Sequence, residues 1–511
     1  MSKTEILVSL ITSLSKSEKR SVVMHSRRSD GEKDYIALFD IICDGVYDTQ
    51  ELQRRFRRER PGSSFDTTVK YLYNVVLNCL IEIRMGRDRE FGYMSRLMKV
   101  KVLFEKSLYR EGLAQLSKIE AQATKTEDYN IVFMALETEL EVLTALDFGD
   151  LSEQQLVRRQ VRMQESIRVV RNIYEHSFLY QLLRYRLSRK ANVATSSKAG
   201  TFDDLIFSEL NIVNKLPGKV FEISKNHLLF QANYFTGIGD TNQAFWAFTE
   251  LNTLFEKNKH LWQNPPTDYL NVLEGTLSSL RAMGRYEDMD YFLDKLEGLC
   301  RESRYDSFRL EAMCIVFLYG MFRLLDRGLY VEALAFKWTN EKPLIDNLSH
   351  LNANRQAEII LYVSLLHYLN GNLPAAKKAI NRIVFQGRDF TYLALYRAIR
   401  LVNLIYMYEE GEMNLIKSES RSILREMKEY SHRGSMEELF LRFINTSLPV
   451  TMSKRLELWG SYARPIARIR GNNKDKKLLS VFDFLSWIEA KITKRQMSDI
   501  VKAAIDDYKK P

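Results

Sequence analysis

The sequence predicts an all-α protein built mostly from repeated helical hairpins, and three observations lead to this fold class. Apolar residues recur at the spacing of amphipathic helices, as in Phe248, Leu251 and Phe255, whereas the alternation typical of strands is rare. The nine prolines fall mainly where helices should begin or end. Short glycine turns recur at a nearly constant interval. A chain of 511 residues, 45% of them hydrophobic, has ample material for the core of such an array.

Residues 1–90 come first and contain no repeat. Their apolar pattern predicts four helices, at 3–26, 33–44, 48–59 and 64–84. Asp48 and Glu51 have the spacing of a capping box at the start of the third helix. The last two helices together, at 48–84, have the lengths of a helix-turn-helix. Because the terminal units of a repeat array need modified faces to close its core, we interpret this region as an N-terminal helical cap.

Residues 91–430 contain the strongest pattern, a frame of turns that predicts some eight helical hairpins. Five glycines lie 45, 44, 43 and 40 residues apart, at Gly239, Gly284, Gly328, Gly371 and Gly411. Such a period is typical of helical repeats. Glycine permits the left-handed backbone that ends a first helix, and a small residue five positions later lets the second helix approach. The frame extends back to Gly149 and Ser107, and it predicts a further turn near Ala194.

Residues 431–511 form the third region and depart from the frame. We predict three or four helices between residues 435 and 508, one of them the aromatic-rich VFDFLSWIEAKI, and a helix boundary at Pro465. Most of the net charge of +10 lies here, because residues 451–511 carry 14 Lys and Arg against 7 Asp and Glu. We interpret the region as a basic C-terminal helical cap.

Segments such as YLNGNLPAAKKAIN and LLDRGLYVEALAF resemble the middle of tetratricopeptide (TPR) repeats, in which Gly, then Tyr or Leu, then Ala follow at these offsets. The period exceeds the usual 34 residues and the terminal proline of each repeat is absent, so we describe the array as TPR-like. With SLSKSEKR, YLYNVVLNCL and FDFLSWIEAKI, the whole chain also resembles a group of bacterial TPR-like proteins of no known activity. This resemblance implies a right-handed α-α superhelix, or solenoid, in the cytoplasm.

Several patterns bear on location. The N-terminal MSKTEILVSLITS lacks the features of a secretory signal, and no run of about 18 apolar residues predicts a membrane span. The four cysteines have no paired spacing, so we expect reduced thiols and neither disulfides nor a metal site. We therefore expect a cytoplasmic protein with no membrane contact.

Motif searches favour neither an enzyme nor a cofactor-binding protein. The chain has no phosphate-binding loop, no dinucleotide fingerprint that opens a helix after a strand, no His-Glu-x-x-His and no nucleophile elbow. Its seven histidines are never three or four residues apart, which argues against a helix-borne metal site. His367 stands where other repeats carry Phe, Leu or Met, so we expect a hydrogen-bonded histidine at a repeat interface. We predict no catalytic residue, no metal and no cofactor.

The function we favour is a scaffold or adaptor that binds a protein or peptide on the concave face of the array. Side chains thirteen, ten, six and three residues before each turn glycine should face that side, and polar ones suit an extended peptide or a helix. The candidate partner-binding residues are Asn226, Asn233, Asn271, Glu274, Arg281 and Tyr368. At each of these positions, ordinary solvated helix surface remains an alternative.

The alternative function is a nucleic-acid-associated regulator, in which the N-terminal region contacts DNA and the array senses a partner. A basic cluster carries this hypothesis, and its members are Arg54, Arg55, Arg57, Arg58, Arg60 and Lys70. Arginines at a helix end also complement the helix dipole without any DNA. We expect the following helix to be apolar around much of its circumference and to offer few side chains to base edges. The sequence leaves both interpretations open, as it does the oligomeric state.

Overall fold

The structure is a computed structural model that describes residues 2–26, 34–45, 47–149, 151–192, 202–213, 220–384, 395–429, 435–471 and 476–508. Helices are the only regular secondary structure in these ranges, which confirms the all-α prediction. Two compact units divide the chain: unit 1 is Met1–Arg171 and unit 2 is Asn172–Pro511. The predicted boundaries at residues 90 and 430 remain predictions.

Unit 1 consists of helices α1 to α8 and the beginning of a long helix, α9. Their bounds are α1 Lys3–Thr12, α2 Lys16–Ser26, α3 Asp34–Cys43, α4 Thr49–Glu59, α5 Phe65–Met85, α6 Arg89–Glu105, α7 Tyr109–Lys125, α8 Tyr129–Ala145 and α9 Glu153–Asn192. The prediction of one helix over 3–26 is wrong, because a second helix starts at Lys16. There the Glu18 N–H donates to the Ser15 hydroxyl (3.3 Å) and the Ser15 N–H donates to the Glu18 carboxylate (2.8 Å). This reciprocal pair is a capping box that interrupts the apolar pattern.

Two separate apolar cores stabilise unit 1. Helices α1 to α5 enclose the first, in which Leu7, Leu38 and Phe56 are fully buried. Helices α6 to α8 enclose the second, around Leu116 and Ile119. Each core is closed by helices that are near neighbours in sequence, so the first five helices need no side chain from α6 to α8 to bury their apolar stripes.

The frame of turns continues only in part through unit 1. Ser107, between α6 and α7, has the left-handed φ of +61° that the frame predicts for its turn, and Gly149 has a φ of +49°. Helix α9, however, runs through 40 residues without a break. This stretch therefore lacks the loop that separates successive hairpins, and the turn predicted near Ala194 lies outside the described residues.

Unit 2 consists of the rest of α9, seventeen further α-helices within the described residues, and 3-10 turns at Lys259–Leu261 and Leu348–His350. The α-helices are α10 Asp203–Val213, α11 Phe221–Ile238, α12 Thr241–Lys257, α13 Thr267–Ala282, α14 Met289–Glu302, α15 Asp306–Leu325, α16 Tyr330–Asn340, α17 Lys342–Asp346, α18 Ala353–Leu369, α19 Leu373–Val384, α20 Tyr396–Glu409, α21 Met413–Glu429, α22 Ser435–Ile444, α23 Met452–Arg470, α24 Lys476–Leu479, α25 Phe484–Thr493 and α26 Met497–Tyr508.

Five helical hairpins make up most of unit 2. The five glycines of the frame each follow a first helix (α11, α13, α15, α18 or α20) and all have left-handed φ values, between +70° and +85°. The alanines five residues after three of them, Ala244, Ala333 and Ala376, are buried where the two helices meet. Neighbouring helices contact one another along the unit, an arrangement consistent with a helical repeat protein.

One continuous core runs from α11 to α25. It includes the off-frame helices near the C-terminus, where Trp487 of α25 is only 2% exposed. The predicted helix boundary at Pro465 is wrong, because this proline lies inside α23. The missing proline N–H leaves the Ser461 carbonyl without its helical donor, but Ser461 is exposed and water can replace it. Buried Tyr462, Ile466 and Ile469 hold both halves of the helix on the core.

Candidate functional site

The predicted partner-binding residues lie on three first helices of unit 2, but few of them face solvent. Asn226 of α11 is only 7% exposed. Asn233, two turns later, donates from its side-chain amide to the Leu229 carbonyl of its own helix at 2.8 Å. Of the three asparagines, Asn271 of α13 is the one that the structure leaves exposed.

Glu274 belongs to an ion-pair network that joins three consecutive first helices. Arg355 of α18 donates to Glu274 of α13, to Glu311 of α15 at 3.1 Å and to Glu358 of its own helix at 3.1 Å. Burial raises the pKa of the Glu358 carboxyl, and the Arg355 guanidinium opposes that rise. One cation shared by three carboxylates leaves this surface acidic, while it ties the hairpins together.

The Arg281 guanidinium is bound both by neighbouring helix residues and by the C-terminal segment. It makes two bonds to the Asp326 carboxylate, at 2.6 and 2.9 Å, and stacks 3.8 Å from the centre of the Phe322 ring. Burial alone would lower the pKa of Arg281, but the interactions with Asp326 and Tyr362 outweigh burial and raise the pKa above its ordinary value. The guanidinium therefore stays charged. Its remaining Nη2 donor reaches the Ser480 main-chain carbonyl at 2.6 Å, between α24 and α25. Arg281 therefore binds a segment of its own chain that lies 199 residues away.

Tyr368 also binds the C-terminal segment of its own chain. The Trp487 indole N–H of α25 donates to the Tyr368 hydroxyl at 2.7 Å, and that hydroxyl donates to Glu409. Glu409 also accepts from the Lys491 ammonium, at 2.6 Å on one oxygen and 2.8 Å on the other. Trp487 and Lys491 are one helical turn apart, so α25 presents both to the first helices from a single face.

These contacts with the C-terminal segment are absent from the sequence-based prediction. It selected Arg281 and Tyr368 as surface residues for a foreign partner, whereas the structure shows both bonded to the chain's own residues. The four-residue spacing of Trp487 and Lys491 predicts that they share a helix face. Nothing in that spacing indicates which surface, more than 80 residues away along the chain, the face will contact.

A cavity of about 440 Å³ lies between α13, α15, α18 and the C-terminal segment. Hydroxyl groups of Ser278, Tyr319, Tyr330 and Tyr362 line it, together with residues 479–483. Burial raises the pKa of Tyr362 to about 12, so this phenol stays protonated near neutral pH. The cavity therefore combines hydroxyls and apolar walls with the charged side chains of Arg281, Asp326, Arg470 and Asp483, beside the exposed part of α13.

His367 behaves as the sequence predicts. Its Nε2 is 3.2 Å from the Lys337 ammonium of α16, and that lysine, only 2% exposed, also pairs with Glu341 at 3.1 Å. Burial and the nearby Lys337 charge lower the pKa of His367, so it accepts the bond as a neutral imidazole. The prediction of a hydrogen-bonded histidine is confirmed, and its bond joins α16 to α18.

A second group of histidines, which the sequence search missed, lies where α9, α10 and α11 meet. His176 is 1% exposed, and neither of its ring nitrogens has a hydrogen-bond partner. Its ring contacts that of His227, which is bonded to the buried Glu209. Burial lowers the pKa of His176, although Glu209 opposes the effect. The two histidines are 51 positions apart in sequence, which explains why no helical spacing revealed the group.

The basic cluster of unit 1 lies at the end of α4 and the start of α5. Arg54 and Arg55 both bond to Glu51, at 3.1 and 3.3 Å. Arg60 is 3.8 Å from Asp34. Arg57 and Arg58 are exposed in the last turn of α4, where they also complement the helix dipole. No described carboxylate forms an ion pair with either of these two.

Helix α5 has one buried stripe and one exposed polar face. The buried residues recur at helical spacing and are Phe65, Thr68, Val69, Leu72, Val76 and Cys79. On the opposite side, Thr67, Lys70, Tyr71, Asn74 and Asn78 are all exposed. The expectation that this helix is apolar around much of its circumference is therefore wrong, because its buried residues gather on the side that faces α1 to α4. That it offers few side chains to base edges stays a prediction.

No family model matches the chain, and neither a curated protein nor a solved structure matches it. Among the described residues, no helix has both the length and the apolar character needed to cross a bilayer. The same part of the chain contains no group of three or more His, Cys, Asp or Glu arranged to hold a metal ion.

Proposed function

We propose that unit 2 is a non-enzymatic, TPR-like scaffold or adaptor of a cytoplasmic, bacterial type, and that it binds a protein or peptide partner on the concave face of a right-handed array. One observation carries this proposal. The first helices already bind a polypeptide segment, the chain's own residues 480–491, through side chains of three different hairpins.

The three contacts indicate what the surface can recognise. Arg281 binds a main-chain carbonyl, Tyr368 accepts from an indole N–H, and Glu409 accepts from an ammonium group. Grooves between helices commonly bind an amphipathic helix or an extended segment through such anchors. The acidic network around Arg355 adds carboxylates near α13. These carboxylates favour a partner with lysine or arginine near its aromatic anchor.

The part of this surface that remains accessible is on α13. Asn271 and Ser278 are exposed there, seven residues and therefore two turns apart, so they share one face. Ser278 also lines the 440 Å³ cavity, whose hydroxyls, apolar walls and charged groups can accept a polar side chain of the partner. We place the partner's path along Asn271 and Ser278 and into this cavity.

The test is affinity capture of the tagged full-length chain from its native cells, followed by calorimetry with the purified partner. Ser278→Arg introduces bulk and positive charge at the cavity. Thr253→Arg introduces the same side chain on α12, at an exposed threonine away from the cavity, and is the matched control. We expect one stoichiometric partner whose affinity falls at least about ten-fold with Ser278→Arg and is unchanged with Thr253→Arg. Failure to capture a partner, or equal losses with both variants, would contradict the proposal.

A further inference from the structure

We propose that unit 1 reads double-stranded DNA, with α5 in the major groove and arginines of α4 on the phosphate backbone. This activity is independent of the partner proposed for unit 2. It is carried by the exposed polar face of α5 and by the charges that precede it in sequence.

The exposed face has the residue types that recognise bases. Thr67, Lys70, Asn74 and Asn78 follow one another at intervals of three, four and four residues, which keeps them on one side of the helix. Asparagine pairs in a bidentate manner with adenine, lysine binds guanine, and threonine contacts either polar edges or the thymine methyl. From Thr67 to Asn78 the helix rises by about 16 Å, roughly the length of five base pairs.

The apolar core of α1 to α5 holds α5 by its buried residues and leaves this polar face exposed. Phe65, Val69, Leu72 and Val76 anchor α5 on the other side of the helix. The Phe56 and Phe65 rings, with centroids 5.7 Å apart, join the end of α4 to the start of α5. An α-helix about 10–12 Å in diameter fits the major groove of B-form DNA, which is about 12 Å wide.

The local charge is complementary to phosphate. Residues 49–71 carry six Lys and Arg against three Asp and Glu, and one of these acids, Glu51, is already bonded to both Arg54 and Arg55. Arg57 and Arg58 are exposed and form no ion pair with a described carboxylate. In helix-turn-helix proteins the first helix contacts the backbone and the second enters the groove, which corresponds here to α4 and α5.

DNA fits this face better than RNA or a protein. The major groove of A-form RNA is too deep and narrow for side chains on a helix to read. Protein interfaces have apolar or aromatic centres, whereas the face from Thr67 to Asn78 has two amides, a lysine and a threonine around one exposed aromatic, Tyr71, whose ring centre lies 5.1 Å from that of Tyr35. The helix also exposes Asp66, Ile81 and Glu82. The occupant we infer is therefore duplex DNA.

The test measures binding of the full-length chain to fluorescent duplexes of about 25 base pairs by anisotropy, with sites first selected from a random library, from about 50 to 200 mM salt. Arg57→Ser with Arg58→Ser should weaken binding to every duplex and lower the salt slope by about 2, one for each phosphate contact. Asn74→Ala with Asn78→Ala should cost about ten-fold or more on the selected site and little on random DNA.

Matched controls in unit 2 remove the same exposed side chains: Arg301→Ser with Arg304→Ser, and Asn242→Ala with Asn414→Ala. Both should leave binding unchanged. Asp66→Asn removes a carboxylate from the first turn of α5 and should tighten binding, a gain that misfolding cannot produce. No binding at about 50 mM salt, equal losses with the controls, or tighter binding to duplex RNA would overturn the proposal.

Discussion

The two ends of the chain look alike in sequence and are built differently. Residues 1–90 and 431–511 both depart from the glycine frame, and we predicted a helical cap at each end. In the structure, Trp487 near the C-terminus packs against Phe440 and Phe443 in the same core as the five hairpins. Helices α1 to α5 instead close a core of their own around residues such as Phe56.

The difference teaches that a helical pattern outside the glycine frame does not tell whether that end of the chain shares a core with the hairpins, whereas its apolar contacts do. At the C-terminus, the indole N–H of Trp487 needs an acceptor when buried and finds it in Tyr368, on another hairpin. At the N-terminus, α1 to α4 pack on the apolar stripe of α5, and the residues from Thr67 to Asn78 on the opposite face are exposed.

The largest expected effect comes from deleting one aromatic in each region. Trp487→Ala and Phe56→Ala should each cost about 3–5 kcal/mol of unfolding free energy, because both side chains are almost completely buried. All five tryptophans belong to unit 2, so tryptophan emission follows unit 2 alone, whereas far-ultraviolet circular dichroism follows the whole chain. We expect Trp487→Ala to lower the urea midpoint of the transition seen by tryptophan emission. Phe56→Ala should leave that midpoint unchanged and lower only the urea midpoint of an earlier transition seen by circular dichroism.

Leu424→Ala, at a partly exposed residue of α21, is a control that should shift neither signal appreciably. If Phe56→Ala lowered the emission midpoint as much as Trp487→Ala does, the two ends would share one cooperative unit and the contrast between them would fail.

A smaller effect should follow from Tyr368→Phe, which keeps the ring and removes the hydroxyl. The Trp487 indole then loses its acceptor and Glu409 loses a donor, at a cost of about 1–2 kcal/mol. Urea unfolding followed by tryptophan emission measures the change. Tyr291→Phe, at an exposed tyrosine of α14, is the matched control and should be nearly neutral. Equal effects from the two variants would mean that the hydroxyl does not hold the C-terminal segment.

The smallest expected effect is a loss of unfolding free energy at acidic pH, and it should also differ between the two regions. Unit 2 buries His176, whereas no histidine among the described residues of α1 to α5 is buried. Because burial lowers the folded-state pKa of His176 below 6.5, the unfolded chain binds the proton more readily. This contribution to stability is complete above pH 6.5 and is lost as the pH falls from 6.5 toward the lowered pKa.

Urea midpoints of tryptophan emission between about pH 8 and pH 5 measure this loss. His176→Phe should flatten the decline, and His350→Gln, at an exposed histidine, should not. An unchanged pH profile for His176→Phe would mean that the burial of His176 does not cause the loss of stability in acid.

Much of the fold follows from local patterns. The five glycines of the frame adopt the left-handed backbone that the turns require, because positive φ is a property of one residue and its neighbours. The capping bonds of Asp48 and of Ser152 with Gln155 form for the same local reason. The break at Ser15 was equally local and was overlooked. Pro465 differs, because an exposed carbonyl and a packed face together let the helix continue.

The candidate site was harder to predict, since its contacts join distant parts of the chain. Arg281 and Tyr368 were chosen for their place before a turn glycine, and nothing near them in sequence indicates Ser480 or Trp487 as partners. The polar face of α5 was missed for a related reason. A count of apolar residues along the helix does not reveal that they all gather on one side.

Residue order thus sets the all-α class, the positions of the hairpin turns and several helix starts, because helical periodicity, capping and backbone φ depend on neighbouring residues. Long-range packing sets the rest: which core each end of the chain joins, which first-helix residues are already bonded, and which face of α5 is left to solvent. Those outcomes depend on which apolar surfaces meet, and residues 119 or 199 positions apart leave no shared local pattern.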